Sequence, residues 1–97
     1  MRWDFHPEAL EEYNAAGFYY ARKESGLDLR FIIAVENAIE TILQDPLRYR
    51  RFDQDVRRCL TRLFPYAILY TIEDDFVLIV AVAHFSREPG YWKHRVP

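Results

Sequence analysis

The spacing of apolar residues along the chain changes period between its two halves, and each period predicts an element type. Trp3 to His6 alternates weakly and stops at Pro7, which predicts a short first strand followed by a proline in the first turn of a helix. Glu8, Glu11 and Glu12 then load the helix N-terminal end with the sign its dipole favours. Leu10, Tyr13, Gly17 and Tyr20 recur at helical spacing. They mark the expected buried face of a helix ending near Ser25-Gly26, with Gly17 allowing close packing. A second helix is predicted from about Leu27 to Gln44, with Ile32, Val35, Ile39 and Ile42 on one stripe and Glu36 and Glu40 on the other side. Asp45-Pro46 stops it. The short connection at Gly26 makes the two helices an antiparallel hairpin.

From Val56 the period becomes two. Val56, Arg58, Leu60, Arg62 and Phe64 share one face of a predicted strand, with Arg57, Cys59, Thr61 and Leu63 on the other, and Pro65 ends it. Tyr66 to Glu73 reads as the next strand, Asp74-Asp75 as a tight turn, and Phe76 to His84 as the last strand. Phe76 to Ala83 is apolar on both faces, the pattern of a central strand covered on at least one side by the helix pair. The order is therefore β-α-α-β-β-β, an α+β fold in which a helical hairpin packs on a mainly antiparallel sheet.

The chain length of 97 residues fits one domain, residues 1–97, burying about 60–70% of its unfolded surface. With 51% hydrophobic residues and no low-complexity stretch, disorder is excluded as the general state. Cys59 is the only cysteine, so no internal disulfide forms, which fits a reducing compartment. The start of the chain has neither a signal-peptide core nor a membrane-length apolar run. These features predict a cytoplasmic protein with no membrane partner.

The net charge of −2 hides an asymmetry. Residues 1–45 hold nine acidic and four basic side chains (net −5), whereas residues 46–97 hold nine basic and six acidic ones (net +3). Arg48, Arg50, Arg51, Arg57, Arg58 and Arg62 are opposed only by Asp53 and Asp55 in their stretch. Such a cluster is either the footprint of an anionic partner or a solvated basic edge.

Several chemistries are excluded. His6, His84 and His94 have no metal-ligand spacing and Cys59 has no second soft ligand nearby, so no metal is expected. Gly17, Gly26 and Gly90 are too scattered for a phosphate loop, and no cofactor is implied. Ser86 lies two residues from His84 but carries no nucleophile signature. What remains is a groove. Arg58 and Arg62 on one strand face, with His84, Arg87 and Tyr91 at the end of the last strand, form an expected polyanion-binding set, and Tyr91 and Trp92 offer aromatic planes for bases or for a protein. The plainer alternative is that Tyr91 and Trp92 pack the C-terminal tail onto the sheet.

The segments "HPEALEEYNAAGFYYA" and "VRRCLTRLFPYAILYTIEDDFVLIVAVAHFSREPGYW" resemble the RelE/ParE superfamily of toxins from bacterial type II toxin–antitoxin systems. The resemblance rests on Arg57-Arg58, the Phe64-Pro65-Tyr66 corner, Tyr70, the Glu73-Asp74-Asp75 turn, and Ala83-His84 followed by Arg87. It implies a growth-inhibiting toxin neutralised by a cognate antitoxin protein. RelE-like members are ribosome-dependent, metal-independent mRNA endonucleases, whereas ParE-like members inhibit DNA gyrase. In the nuclease case His84, Arg87 and Tyr91 would be catalytic. In either case Arg57, Arg58, Arg62, Arg87 and Trp92 would bind target or phosphate. RelE-like nucleases commonly carry an arginine three residues before the tyrosine matching Tyr70, where this chain has Ala67, and a basic residue where it has Phe85. The "AHFSREPGYW" ending resembles ParE-like and plasmid stabilization members more closely, so gyrase inhibition is the expectation. The mRNA endonuclease and a non-toxic, partner-binding homologue are the alternatives.

Overall fold

The computed structural model describes all 97 residues, Met1–Pro97. The element order is β1 (Arg2–Phe5), α1 (Pro7–Lys23), α2 (Leu27–Gln44), β2 (Arg51–Asp53), β3 (Val56–Leu60), β4 (Tyr66–Ile72) and β5 (Phe76–His84), followed by a short 3-10 helix over Lys93–Arg95. The expected α+β architecture is present, with one strand more than the sequence pattern predicts. That extra strand, β2, is three residues long and pairs antiparallel with β3 through Arg51↔Arg57 and Asp53↔Val56. Gln54 makes the intervening turn in the left-handed region, at φ 51°.

The sheet order is β1-β5-β4-β3-β2. β1 runs parallel to β5 and every other neighbouring pair is antiparallel. β5 is thus central along its first half, but β1 ends at Phe5, opposite Ile79. Beyond that point the edge of β5 has no strand beside it. Leu69 pairs with Ala81 and Tyr70 with Ile79, which leaves Val80 as the extra residue of a bulge in β5, and both Val80 and Ala81 join the same apolar cluster.

Both faces of the sheet are covered. The helix side holds Phe31, Val35, Ala38, Ile39 and Ile42 of α2 and Ala9 and Ala16 of α1 against Cys59, Ile68, Tyr70, Val77, Ile79 and Val82. Phe31 is the hub of an aromatic group, its ring centroid 5.2 Å from Tyr20, 5.1 Å from Tyr66 and 5.5 Å from Phe64. The opposite side is smaller: Val56, Ala67, Leu69, Val80, Ala81 and Ala83 are roofed by Trp92. The C-terminal segment therefore supplies the second layer, which is why β5 is apolar on both faces.

Three local expectations are corrected. The buried line on α1 is Ala9, Tyr13, Ala16 and Tyr20, with Leu10 left 42% exposed. Small residues let α1 approach β5, and a β-carbon added at Gly17 would meet nothing within 4 Å, so Gly17 is not a packing contact. On α2 the stripe includes Phe31, whereas Ile32 is only half-buried. The strand predicted over residues 56–64 ends at Leu60. Thr61 Oγ1 donates to the carbonyls of Phe64 and Tyr66 at 2.9 and 3.0 Å, and Leu63 takes φ 69°, so residues 61–65 form a tight turn rather than strand. No helix is long and apolar enough to cross a membrane.

Candidate target-binding groove

On the face away from the helices, Ala67, Leu69 and Ala83 floor a groove of about 460 Å³. Arg58, Arg87, Tyr91 and Trp92 line it with Phe52 and Phe85. The wall exists because Gly90, at φ +77°, turns the chain back onto the sheet, where Trp92 is buried to 4% exposure. A side chain at Gly90 would be strained by that φ and would press a β-carbon to 3.0 Å from Lys93 Cε. Phe52 meets Trp92 edge-on at 5.8 Å and carries the Arg58 guanidinium over its ring at 5.1 Å. Arg58 and Phe52 are both exposed.

Behind this wall lies a charge cluster centred on Glu12 of α1. Its Oε2 accepts the Tyr91 hydroxyl at 2.7 Å, and Arg95 reaches the same carboxylate through Nη1 and Nη2 at 2.9 and 3.2 Å. Glu12 Oε1 also accepts the Val82 N–H at 3.0 Å, and Arg95 Nη1 donates to the Val80 carbonyl at 3.1 Å. Two side chains thus satisfy the edge of β5 that β1 leaves unpaired. The Arg87 guanidinium sits 3.8 Å over the Tyr91 ring and 3.7 Å from Glu12 Oε2. Burial, with the neighbouring Glu12 carboxylate, drives the Tyr91 phenol far above its ordinary range. The hydroxyl is a fixed donor. Nothing in the sequence singles out Glu12, because its partners lie 70 to 83 positions away.

The expected arginine set is not gathered in one place. Arg58 and Arg87 line the groove, but Arg57 leaves β3 on the helix side and donates to the Tyr49 carbonyl. Arg62, displaced by the turn, lines a separate hollow beside α2. His84 reaches the groove rim, yet its ring packs edge-on against Tyr66 at 5.1 Å, on the helix side. Its Nδ1 accepts the Ser86 N–H at 3.0 Å and lies 2.7 Å from Ser86 Oγ. The neutral ring therefore carries its proton on Nε2. No three His, Cys, Asp or Glu side chains converge where a metal ion would be held.

The largest hollow, about 840 Å³, lies between α2 and the 61–65 turn. Tyr20, Leu27, Ile33, Ala34, Phe64 and Pro65 line it, with Arg30 and Arg62 among its polar residues. Leu63 beside it is 98% exposed. This surface is apolar where the groove across the sheet is cationic and aromatic.

Two helices on one face of a five-stranded mixed sheet, with an Arg-aromatic groove under the C-terminal segment on the other, define a small α+β domain. The family model described as the ParE toxin of the type II toxin–antitoxin system parDE matches residues 4–89, and the chain belongs to that family. Its fold is similar to a solved chain from the chromosomal ParDE toxin–antitoxin system of P. aeruginosa, with a TM-score of 0.73 at 12% sequence identity, covering 87% of this chain and 95% of that one. No curated protein matches the sequence.

Proposed function

We propose that this ParE-family toxin acts by binding DNA gyrase through the groove of Arg58, Arg87 and Phe52, with Trp92 buried beneath as its support, without cutting RNA itself. The observation that carries this reading is the Tyr91 hydroxyl, committed to Glu12 at 2.7 Å with its proton held tightly. Attack by a ribose 2′-hydroxyl needs a base near that hydroxyl, cations near the phosphate and an acid for the leaving oxygen. The groove offers the cations. Its tyrosine is a locked donor, and the ring of His84 faces Tyr66 on the other side of the sheet. A protein surface, by contrast, is well served by exposed arginine and aromatic anchors.

The partner that neutralises the toxin is a cognate antitoxin. In the same reading it lays an amphipathic segment into the apolar hollow between α2 and the 61–65 turn, with acidic side chains toward Arg30 and Arg62. The deciding experiment follows thymidine and amino-acid incorporation after induction of the toxin alone, alongside supercoiling by purified gyrase. DNA synthesis falling first, with supercoiling blocked by the wild type and restored by Arg58→Ala with Arg87→Ala, supports the proposal. Protein synthesis falling first, with mRNA cleaved in translating extracts and lost on His84→Ala, would put the endonuclease in its place.

A further inference from the structure

The β2–β3 hairpin carries a second hollow, about 500 Å³, lined only by Tyr49, Arg50, Arg51, Phe52 and Arg58. Phe52 and Arg58 line the main groove as well, so the two hollows join into one surface track that ends at Arg87. Of the acids nearby, Asp55 pairs with Arg51 at 3.2 Å and Asp53 with Lys93 at 3.4 Å. Glu88, at the far end of the groove, pairs with no cation, and Arg87 lies 3.7 Å from Glu12. Arg50 and Arg58 have no carboxylate partner, although the chain as a whole is net acidic. A merely solvated basic edge has no need of aromatic neighbours. Here Phe52 stays 43% exposed, between the Arg58 guanidinium and the edge of Trp92.

Guanidinium forks fit phosphate oxygens, and flat aromatic or guanidinium surfaces accept an unstacked base. Among nucleic acids, a strand with free bases uses both, whereas a duplex keeps its bases stacked and offers chiefly its phosphates. We propose that the track from Arg50 through Arg58 and Phe52 to Arg87 binds single-stranded nucleic acid, its phosphates on the arginines and a base against Phe52 and Arg58. This goes beyond the gyrase reading and does not rest on it.

The test is a fluorescence-anisotropy titration of the full chain into short labelled oligothymidylate and oligouridylate over a range of salt concentrations. Three phosphate contacts predict a log K against log salt slope of about −2, from roughly 0.7 per contact on a single strand. Arg50→Ala with Arg58→Ala should weaken binding roughly tenfold or more and flatten the slope by about 1.4. Phe52→Ala should weaken it roughly tenfold with the slope unchanged. Arg22→Ala with Lys23→Ala, at the exposed end of α1, should change nothing. Circular dichroism confirms the fold of each variant, and Arg58→Gln replaces Arg58→Ala if that variant is unfolded. Binding of either oligonucleotide in this pattern supports the track, and preference between them assigns the sugar. No binding, binding indifferent to the hairpin variants, or equal competition by duplex DNA or by polyglutamate would overturn it. Since no gyrase is present, failure here leaves the gyrase reading standing, and failure of the supercoiling assay leaves this one.

Discussion

The Tyr91 hydroxyl and the Glu12 carboxylate meet at 2.7 Å across 79 positions of sequence, fastening the C-terminal segment to the first helix. Removing only the hydroxyl keeps the ring under Arg87 and the carboxylate with its other donors. Tyr91→Phe should therefore cost about 1.5–3 kcal/mol, the range for a hydrogen bond to a charged group, read as a lower urea midpoint at unchanged slope. Growth inhibition should persist at full strength, because the phenol moves no proton in the proposed mechanism. Loss of toxicity in a folded Tyr91→Phe protein would argue for the nuclease.

Glu12 itself should be far less tolerant. Its side chain is 15% exposed and that of Arg95 is 5% exposed, so Glu12→Ala leaves a buried guanidinium with only Glu8 at 3.9 Å for a counter-charge and the Val82 N–H without an acceptor. Breaking one side of such a pair costs about 3–5 kcal/mol, a large share of what a domain of this size has. Glu12→Ala should unfold at much lower urea than the wild type. Glu12→Leu with Arg95→Met should recover part of the loss, which a double-mutant cycle measures. Equal losses for the single and double variants would mean that the cost comes from the β5 edge and not from the ion pair.

Much of the fold was legible because its determinants are local. Gly26 and Asp45-Pro46 bracket α2 at Leu27–Gln44, as their backbone preferences dictate. β5 was legible from its two-sided apolar run, although the second cover is Trp92 and not a helix. β2 was not legible: three residues, two of them polar, become a strand only because β3 pairs with them. The candidate site was half legible. Alternation from Val56 placed Arg58 and Arg57 on opposite faces, as found. It failed at Arg62, because the hydroxyl of Thr61 bends the chain before the period can continue. Glu12 had no local signal, since its role comes from a sheet edge completed by residues near the other end of the chain.

Alkaline pH should unfold the protein through its buried phenols. Burial pushes the Tyr70 hydroxyl, which donates to the Pro46 carbonyl at 2.6 Å, up from 10.0 to about 12. Burial, reinforced by the adjoining Tyr20, does the same to Tyr66. In the unfolded chain these groups ionise near 10.0, so between pH 10 and pH 12 the unfolded state has shed protons that the native state still holds. Stability is full below pH 10 and falls as pH rises toward 12. The urea midpoint should drop across that window while tyrosinate absorbance rises with unfolding. Tyr70→Phe should flatten the decline and cost about 1 kcal/mol at neutral pH through the lost hydrogen bond.

Leu63 combines a left-handed φ of 69° with 98% exposure, a costly placement that no packing contact repays. Glycine suits that backbone without strain, although it frees the unfolded chain as well. Leu63→Gly should therefore raise stability by up to about 1 kcal/mol, seen as a higher urea midpoint. The proposed antitoxin segment lies in the adjoining hollow of Tyr20, Leu27, Ile33 and Phe64, where an exposed leucine is a natural anchor. The same substitution should weaken antitoxin binding by roughly tenfold, the worth of burying one aliphatic side chain. Calorimetric titration of the antitoxin into both proteins checks this directly. A stabilised variant with unchanged antitoxin affinity would move the antitoxin off this surface.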